Sequence, residues 1–248
     1  MTVFTIAGNE LRRLYLTPLA WFSLAVVQFF LVITCFTLAD QYQQAITIFV
    51  NRGITSTVVA GTLQTAGLLL LLVTPFLTMR LISEERRAGT LPLLLSAPVS
   101  VTAIVIGKYL GILGFFLIML IMISLTPLAL SLGTSLDYGL LAAGLTGLLL
   151  LAVNFAAIGL FASTMTRQPA FAAILCFACL LLFWVIHVLG GTDNQTMAAV
   201  INYLSMQRHF NQFLTGLFTT SDVVYYLLLS GVFVLFSILR LDAMRSCD

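Results

Sequence analysis

The ionisable side chains of this sequence gather in one place. Arg80 to Tyr109, RLISEERRAGTLPLLLSAPVSVTAIVIGKY, carries Arg80, Glu84, Glu85, Arg86, Arg87 and Lys108 between two long apolar runs. Outside it, only Arg12 and Arg13 near the start form a comparable group. Adjacent carboxylates followed by adjacent guanidiniums suit steered, charge-assisted contacts with a soluble partner. They do not make a catalytic centre. The two histidines, His187 and His209, lie far along the chain, and no Gly-x-Ser-x-Gly elbow is present for a serine nucleophile. Haem ligation within a bilayer needs paired histidines inside spans, which are missing. The single Gly-Lys pair, Gly107-Lys108, is followed by Tyr109 and has Thr102 where a phosphate-binding loop requires its first glycine. This chain cannot hydrolyse ATP by that route. Cys176 and Cys179 form a CxxC without a second ligand pair, so helix packing accounts for them.

The elements that must position this polar island are set by composition. Of the 248 residues 60% are hydrophobic and 8% charged, against about 25% charged in a soluble domain. Lipid must solvate most of such a chain. A net charge of +2 is too small to suggest nucleic acid as a partner. Six segments approach the roughly 20 apolar residues that a helical span needs: 19–39, 58–79, 103–125, 140–163, 170–189 and 223–241. The first begins after Arg12 and Arg13 and is too long for the core of a cleaved leader, so it reads as a retained span. With the N-terminus inside, Arg12, Arg13, Arg80, Arg86, Arg87, Lys108, Arg167, Arg240 and Arg245 are cytoplasmic, and only Arg52 and Arg208 are outside. The expectation is an all-α integral membrane protein, one domain over 1–248. It has six transmembrane helices, lies in the cytoplasmic membrane and keeps both termini in the cytoplasm.

Local signals refine this. Phe4, Ala7, Leu11, Leu14 and Tyr15 share one helical face, while Asn9, Glu10, Arg12 and Arg13 lie on the other. That pattern predicts an interfacial helix on the inner leaflet. In the central stretch Ser83 is placed to cap a short helix whose first turn holds Glu84 and Glu85. Gly89 suits a left-handed stop. Thr90 is placed to cap a second short helix, with Pro92 in its first turn, an apolar stripe of Leu91, Leu94 and Leu95, and an end at Pro98. Ser100 then caps the third span. Gly107, Gly111 and Gly114, and Gly139, Gly144, Gly147 and Gly159, mark faces for close helix contact. Before the last span, Thr196 is placed to start one short helix, and Phe210, Phe213, Leu214 and Leu217 recur at helical spacing. These predict one or two short helices in the outer interface. The spans carry no charge near their middles, which disfavours an ion-coupled carrier. Gln28, Gln64 and Asn154 are the polar exceptions. They serve either as hydrogen bonds between helices or, for Gln64 and Asn154, as lining of a substrate path.

Glu84-Glu85-Arg86-Arg87-Ala88-Gly89-Thr90-Leu91, then Leu94-Leu95-Ser96-Ala97-Pro98-Val99-Ser100, then Gly107-Lys108, resembles the signature of ABC-2 type transporter permeases. The match is closest to the gliding-motility-type branch. The start, Glu10 to Pro18, the end of span four, Gly159 to Gln168, and the segment Leu204 to Asp222 resemble the same branch. One departure stands out: Thr215 precedes Gly216, and Leu217-Phe218-Thr219-Thr220 follow, where relatives often carry Arg and an acidic residue. The resemblance implies a permease without its own ATPase motif, paired with a second permease copy or a homologous permease. Two ABC ATP-binding subunits, which hold the ATP and Mg, would bind on the cytoplasmic face. It also implies that 83–97 is the coupling segment, with Glu84, Glu85, Arg86, Arg87, Gly89, Thr90, Leu91, Leu94, Leu95 and Pro98 facing the ATPase. The interfacial helix with Phe4, Leu11, Arg12 and Arg13 would be a second contact, and export the direction of transport. The alternative is a membrane scaffold or assembly subunit that transports nothing.

Overall fold

The computed structural model describes residues 2–44, 53, 55–91, 99–131, 136–186 and 203–245. All regular structure among them is helical. Nine helices follow in order: α1 Thr2–Leu16, α2 Pro18–Gln44, α3 Ala60–Thr78, α4 Ser83–Arg87, α5 Val101–Leu130, α6 Tyr138–Met165, α7 Pro169–Val185, α8 Met206–Leu214 and α9 Thr220–Arg245. A π-helical turn, Thr55–Val59, leads into α3. Five of these elements are long and apolar enough to cross a bilayer: α2, α3 with its flanking turns, α5, α6 and α9. The shorter α7 is equally apolar over its 17 residues. Each of the six expected segments overlaps one of these helices, and residues 187–189 of the fifth segment lie outside the described part.

Helix starts obey local chemistry. Ser100 Oγ accepts from the Ala103 amide (3.2 Å) and caps α5. Asp137 accepts from the amides of Gly139 (2.9 Å) and Leu140 (3.3 Å) at the start of α6. Ser205 caps α8 through the Arg208 amide (3.3 Å), and Pro169 takes the first position of α7, where no amide is needed. Pro75 and Pro127 lie in the last turns of α3 and α5. The flanking Thr74 and Thr78 hydroxyls donate to the carbonyls of Leu70 and Thr74.

The central post is α6. Of its most apolar stretch 67% is buried, against 28% for α2 and α9, which form the perimeter. Glycines let neighbours approach α6 closely. A Cβ on Gly147 would come within 2.6 Å of Phe213, and one on Gly144 within 2.5 Å of Leu63. The helix carrying Phe213, α8, is thus not a lid on the surface. Met206, Phe210 and Phe213 are fully buried, and Phe210 also sits on Gly67 of α3 beside Trp184 of α7. Leu217, expected on the same stripe, falls beyond the end of α8 and is exposed. The segment expected to begin at Thr196 lies outside the described residues.

The directions of α3 and α6 define the two ends of the bundle. Thr55 Oγ1 accepts from the Asp137 amide at one end (3.1 Å), and Ser163 accepts from the amides of Ile82 and Ser83 at the other. The first end holds α8, and the second holds α4.

Candidate functional site

The site is assembled on α4. Its first residue, Ser83, does not cap it as expected. The cap position is Ile82, and the Ser83 hydroxyl donates back to the carbonyl of Met79. A buried serine one turn after α3 finds that carbonyl nearer than any free amide of its own helix. From α6, Ser163 Oγ accepts from Ile82 N (2.9 Å) and Ser83 N (3.0 Å), the amides at the entry to α4. The end of α4 is as expected. Gly89 has φ +69°, a conformation that glycine adopts without strain.

The four charges of α4 were expected to be exposed, and two of them, Glu85 and Arg86, turn inward. Glu85 accepts from Lys108 Nζ of α5 at 2.7 Å. Lys108 is 2% exposed and also pairs with Glu10 of α1. Glu84 pairs with Arg13 of α1 at 2.8 Å, with both side chains about half exposed. Arg86 donates to the carbonyl of Thr164, at the end of α6, at 2.7 Å. Burial, together with the like charges of Arg167 and Arg240, pulls the Arg86 guanidinium below its ordinary pKa. Only Arg87 and the following Ala88, Gly89 and Thr90 face outward. Leu91 is buried in this chain's own core. Leu94, Leu95 and Pro98 lie outside the described residues.

The physical reason for the inward turn is the register of α1 on α5. A Cβ on Gly107 would come within 2.8 Å of Ile6, and one on Gly111 within 2.8 Å of Glu10. The two helices touch along that glycine face, so Glu10 points at α5 and reaches Lys108. The sequence pattern had put Glu10 on the polar outer face with Arg12 and Arg13. The structure keeps Arg12 and Arg13 exposed and takes Glu10 inside. Phe4 is 78% exposed, while Leu11 is half-buried against α5. The amphipathic face is therefore split, with Ile6, Ala7, Glu10, Leu11 and Leu14 turned to the protein.

Burying three charges is costly unless they satisfy one another. Here one ammonium serves two carboxylates, and the second Glu85 oxygen is buried without a hydrogen-bond partner. The arrangement is a tie between helices. It binds α1, α4 and α5 into one body, which Ser163 and Thr164 fasten to α6. Glu10, Lys108, Ser163 and Thr164 were not among the sequence-derived site residues. The available signal was a lysine beside glycines inside an otherwise uncharged apolar run.

The two residues considered for a path do not meet. Asn154 is fully buried, and its amide donates to the carbonyls of Leu150 (3.1 Å) and Tyr226 (2.9 Å), tying α6 to α9. Gln64 is exposed on α3. Gln28 donates to Thr126 Oγ1 (2.9 Å) and ties α2 to α5.

At the opposite end a second polar cluster joins α8 to α9. His209 Nδ1 lies 2.6 Å from Asp222 Oδ1, and its Nε2 lies 2.9 Å from the carbonyl of Tyr203. Tyr225 stacks on the imidazole at 4.2 Å. With its amide nitrogen turned to Asp222, Gln212 donates to both carboxylate oxygens.

The family model for "ABC-2 family transporter protein" matches residues 4–244. No curated protein matches the chain.

Proposed function

Because this chain belongs to the ABC-2 family of transporter proteins and is a multi-pass membrane protein, we propose that it is the permease subunit of an ATP-driven exporter. In this reading six helices cross the membrane, with α7 and the residues after it as the fifth. The α4 end is cytoplasmic. Arg12, Arg13, Arg80, Arg86, Arg87 and Lys108 at that end support the orientation by the excess of cations on inner loops. Separate ATP-binding subunits, carrying ATP and Mg, dock on segment 83–97. The gliding-motility-type branch remains the nearest likeness on the motifs quoted above.

One observation carries the coupling role. The short helix α4 is joined to three others by directed bonds: to α5 through Glu85–Lys108, to α1 through Glu84–Arg13, and to α6 through Ser163 and Thr164. A loop that merely links two spans has no need of such fastening. A push on α4 from an ATPase would move α1, α5 and α6 together, and so reshape the path between this chain and a second permease copy. Arg87 and the turn at Gly89 and Thr90 offer the exposed contact, with Leu94 and Leu95 following. Gln64, on the outer face of α3, is free to face that path, whereas Asn154 acts as a tie within the bundle.

Co-expression with the ATP-binding protein encoded beside it tests this reading. The expected result is a complex of two permeases and two ATPases whose hydrolysis responds to substrate. Gly89→Pro, which cannot adopt φ +69°, and Leu94→Asp are expected to keep the chain folded but uncouple hydrolysis from transport. Wild-type coupling in both variants would overturn the assignment of 83–97. A stable chain that never retains an ATPase would favour the scaffold.

A further inference from the structure

His209 of α8 is buried, and both of its ring nitrogens face oxygen acceptors. Nε2 lies 2.9 Å from the carbonyl of Tyr203, which can only accept, so Nε2 carries a proton. Nδ1 lies 2.6 Å from Asp222 Oδ1. Two lone pairs do not approach so closely, and a proton must lie between them. The pair therefore holds one proton more than a neutral imidazole beside a carboxylate. Its neighbours decide where that proton sits. The Gln212 amide, turned to Asp222, donates to its two oxygens at 3.2 and 2.6 Å, which favours the ionised carboxylate. Tyr225 stacks on the ring with centroids 4.2 Å and planes 22° apart, which favours the cationic imidazole.

The groups around the ring are few. From α9 come Asp222, Tyr225 and Tyr226, and from the segment before α8 comes Tyr203. On α8 itself Arg208 is exposed, and its like charge opposes the imidazolium. Of the helices packed most closely on α8, α3 carries no ionisable side chain, α6 only Tyr138 at its exposed start, and α7 only two cysteines. Cys176 lies beside Thr78, toward the α4 end, with Cys179 on the next turn. The pair is open to solution on one side, where a recess of about 630 Å³ reaches it past Arg208 and Ser221.

We propose that the His209–Asp222 pair is a proton-operated latch, which seats α8 only while the imidazole is charged. Release of the proton into the recess leaves a ring lone pair facing the Asp222 carboxylate, and the two must draw apart. Phe213 and Phe210 of α8 fill the glycine gaps at Gly147 of α6 and Gly67 of α3, so loss of the latch loosens this end of the bundle. The acidity of the solution at the α8 end thus sets how firmly the wedge is held, firmly when acidic and weakly when alkaline. The latch needs neither an ATPase nor a transported substrate, and it stands apart from the coupling role proposed for α4.

The test uses the full chain in detergent, isotopically labelled at the histidine ring nitrogens, with His187→Gln removing the second histidine signal. At about pH 6 both ring nitrogens of His209 should carry protons by NMR. Opening of α8 is then followed by amide hydrogen exchange, corrected for the intrinsic effect of pH. The closed corner binds one proton more than the open one, so its stability falls as pH rises. The opening constant should increase about tenfold per pH unit over the range in which the open corner has lost the proton and the closed one keeps it. Asp222→Asn puts an amide donor opposite a neutral Nδ1, so α8 should be less protected under acidic conditions but should lose this pH dependence. His209→Gln should flatten the response in the same way, and keeps the test decisive if Asp222→Asn does not fold. A His209 ring with one bare nitrogen at about pH 6 overturns the proposal. So does the same pH slope in the wild type and in either variant.

Discussion

The two ends of the bundle each bury charge, and they do it differently. At the α4 end one lysine is shared by two carboxylates drawn from α1 and α4, so residues 98 and 23 positions away meet at Lys108. At the α8 end His209 and Asp222 lie 13 positions apart on consecutive helices and form a closed pair, with Tyr225 stacked over the ring and Gln212 on the carboxylate. The first cluster ties distant segments into one body and leaves a Glu85 oxygen unmatched. The second fixes a local corner with nearly every polar atom engaged. A joint built from remote segments transmits displacement. A joint within one hairpin holds a wedge in place, here α8 against Gly147 and Gly67.

That contrast can be broken most directly at Lys108. Lys108→Met leaves Glu10 and Glu85 facing each other without a cation. Breaking one partner out of a buried pair costs about 3–5 kcal/mol, to be read from thermal unfolding in detergent. The triple change Glu10→Gln, Lys108→Met and Glu85→Gln should restore most of that stability while loosening α4. A Lys108→Met chain as stable as the wild type would mean that the triad does not hold this end together. Asp222→Asn comes next. It retains shape but weakens the charge-assisted bond to His209, and about 1.5–3 kcal/mol should be lost. Since the corner is local, proteolysis should begin near α8 while the α1–α5 contact persists. Simultaneous loss of both ends would erase the distinction. The smallest effect belongs to Arg13→Ala. The exposed Arg13–Glu84 pair is worth about 0–1 kcal/mol, and added salt should hide even that, in unfolding curves compared at low and high ionic strength.

Much of the fold was legible because the bilayer imposes a simple rule on the chain. Runs of some 20 apolar residues become helices, and caps such as Ser100 and Asp137 mark their starts. Gly89 was readable for a similar reason, since a stop between two short polar and apolar segments needs a left-handed residue. The site was legible only in outline. The stretch 83–91 was found, but its charges were read as outward-facing because a run of Glu and Arg beside a membrane is normally solvated. Nothing within the run shows that Lys108, two turns into α5, reaches Glu85, or that Glu10 arrives from α1 to share it. Likewise Phe210, Phe213 and Leu214 announced a helix with an apolar face, yet not that the face fits into the glycine gaps of α6 and α3.

What the sequence determined by itself is local. Helix existence, helix caps, the membrane as solvent and the position of the polar island all depend on neighbours within a few turns. What only the tertiary structure decided is which way each polar residue faces. Glu10 went inside and Arg13 stayed outside because glycines at 107 and 111 set how closely α1 approaches α5. Four arginines came to share one cleft because α3, α4 and the α6–α7 connection end side by side. Such meetings depend on backbone approach distances between segments far apart in the chain, and periodicity within one segment does not encode those distances.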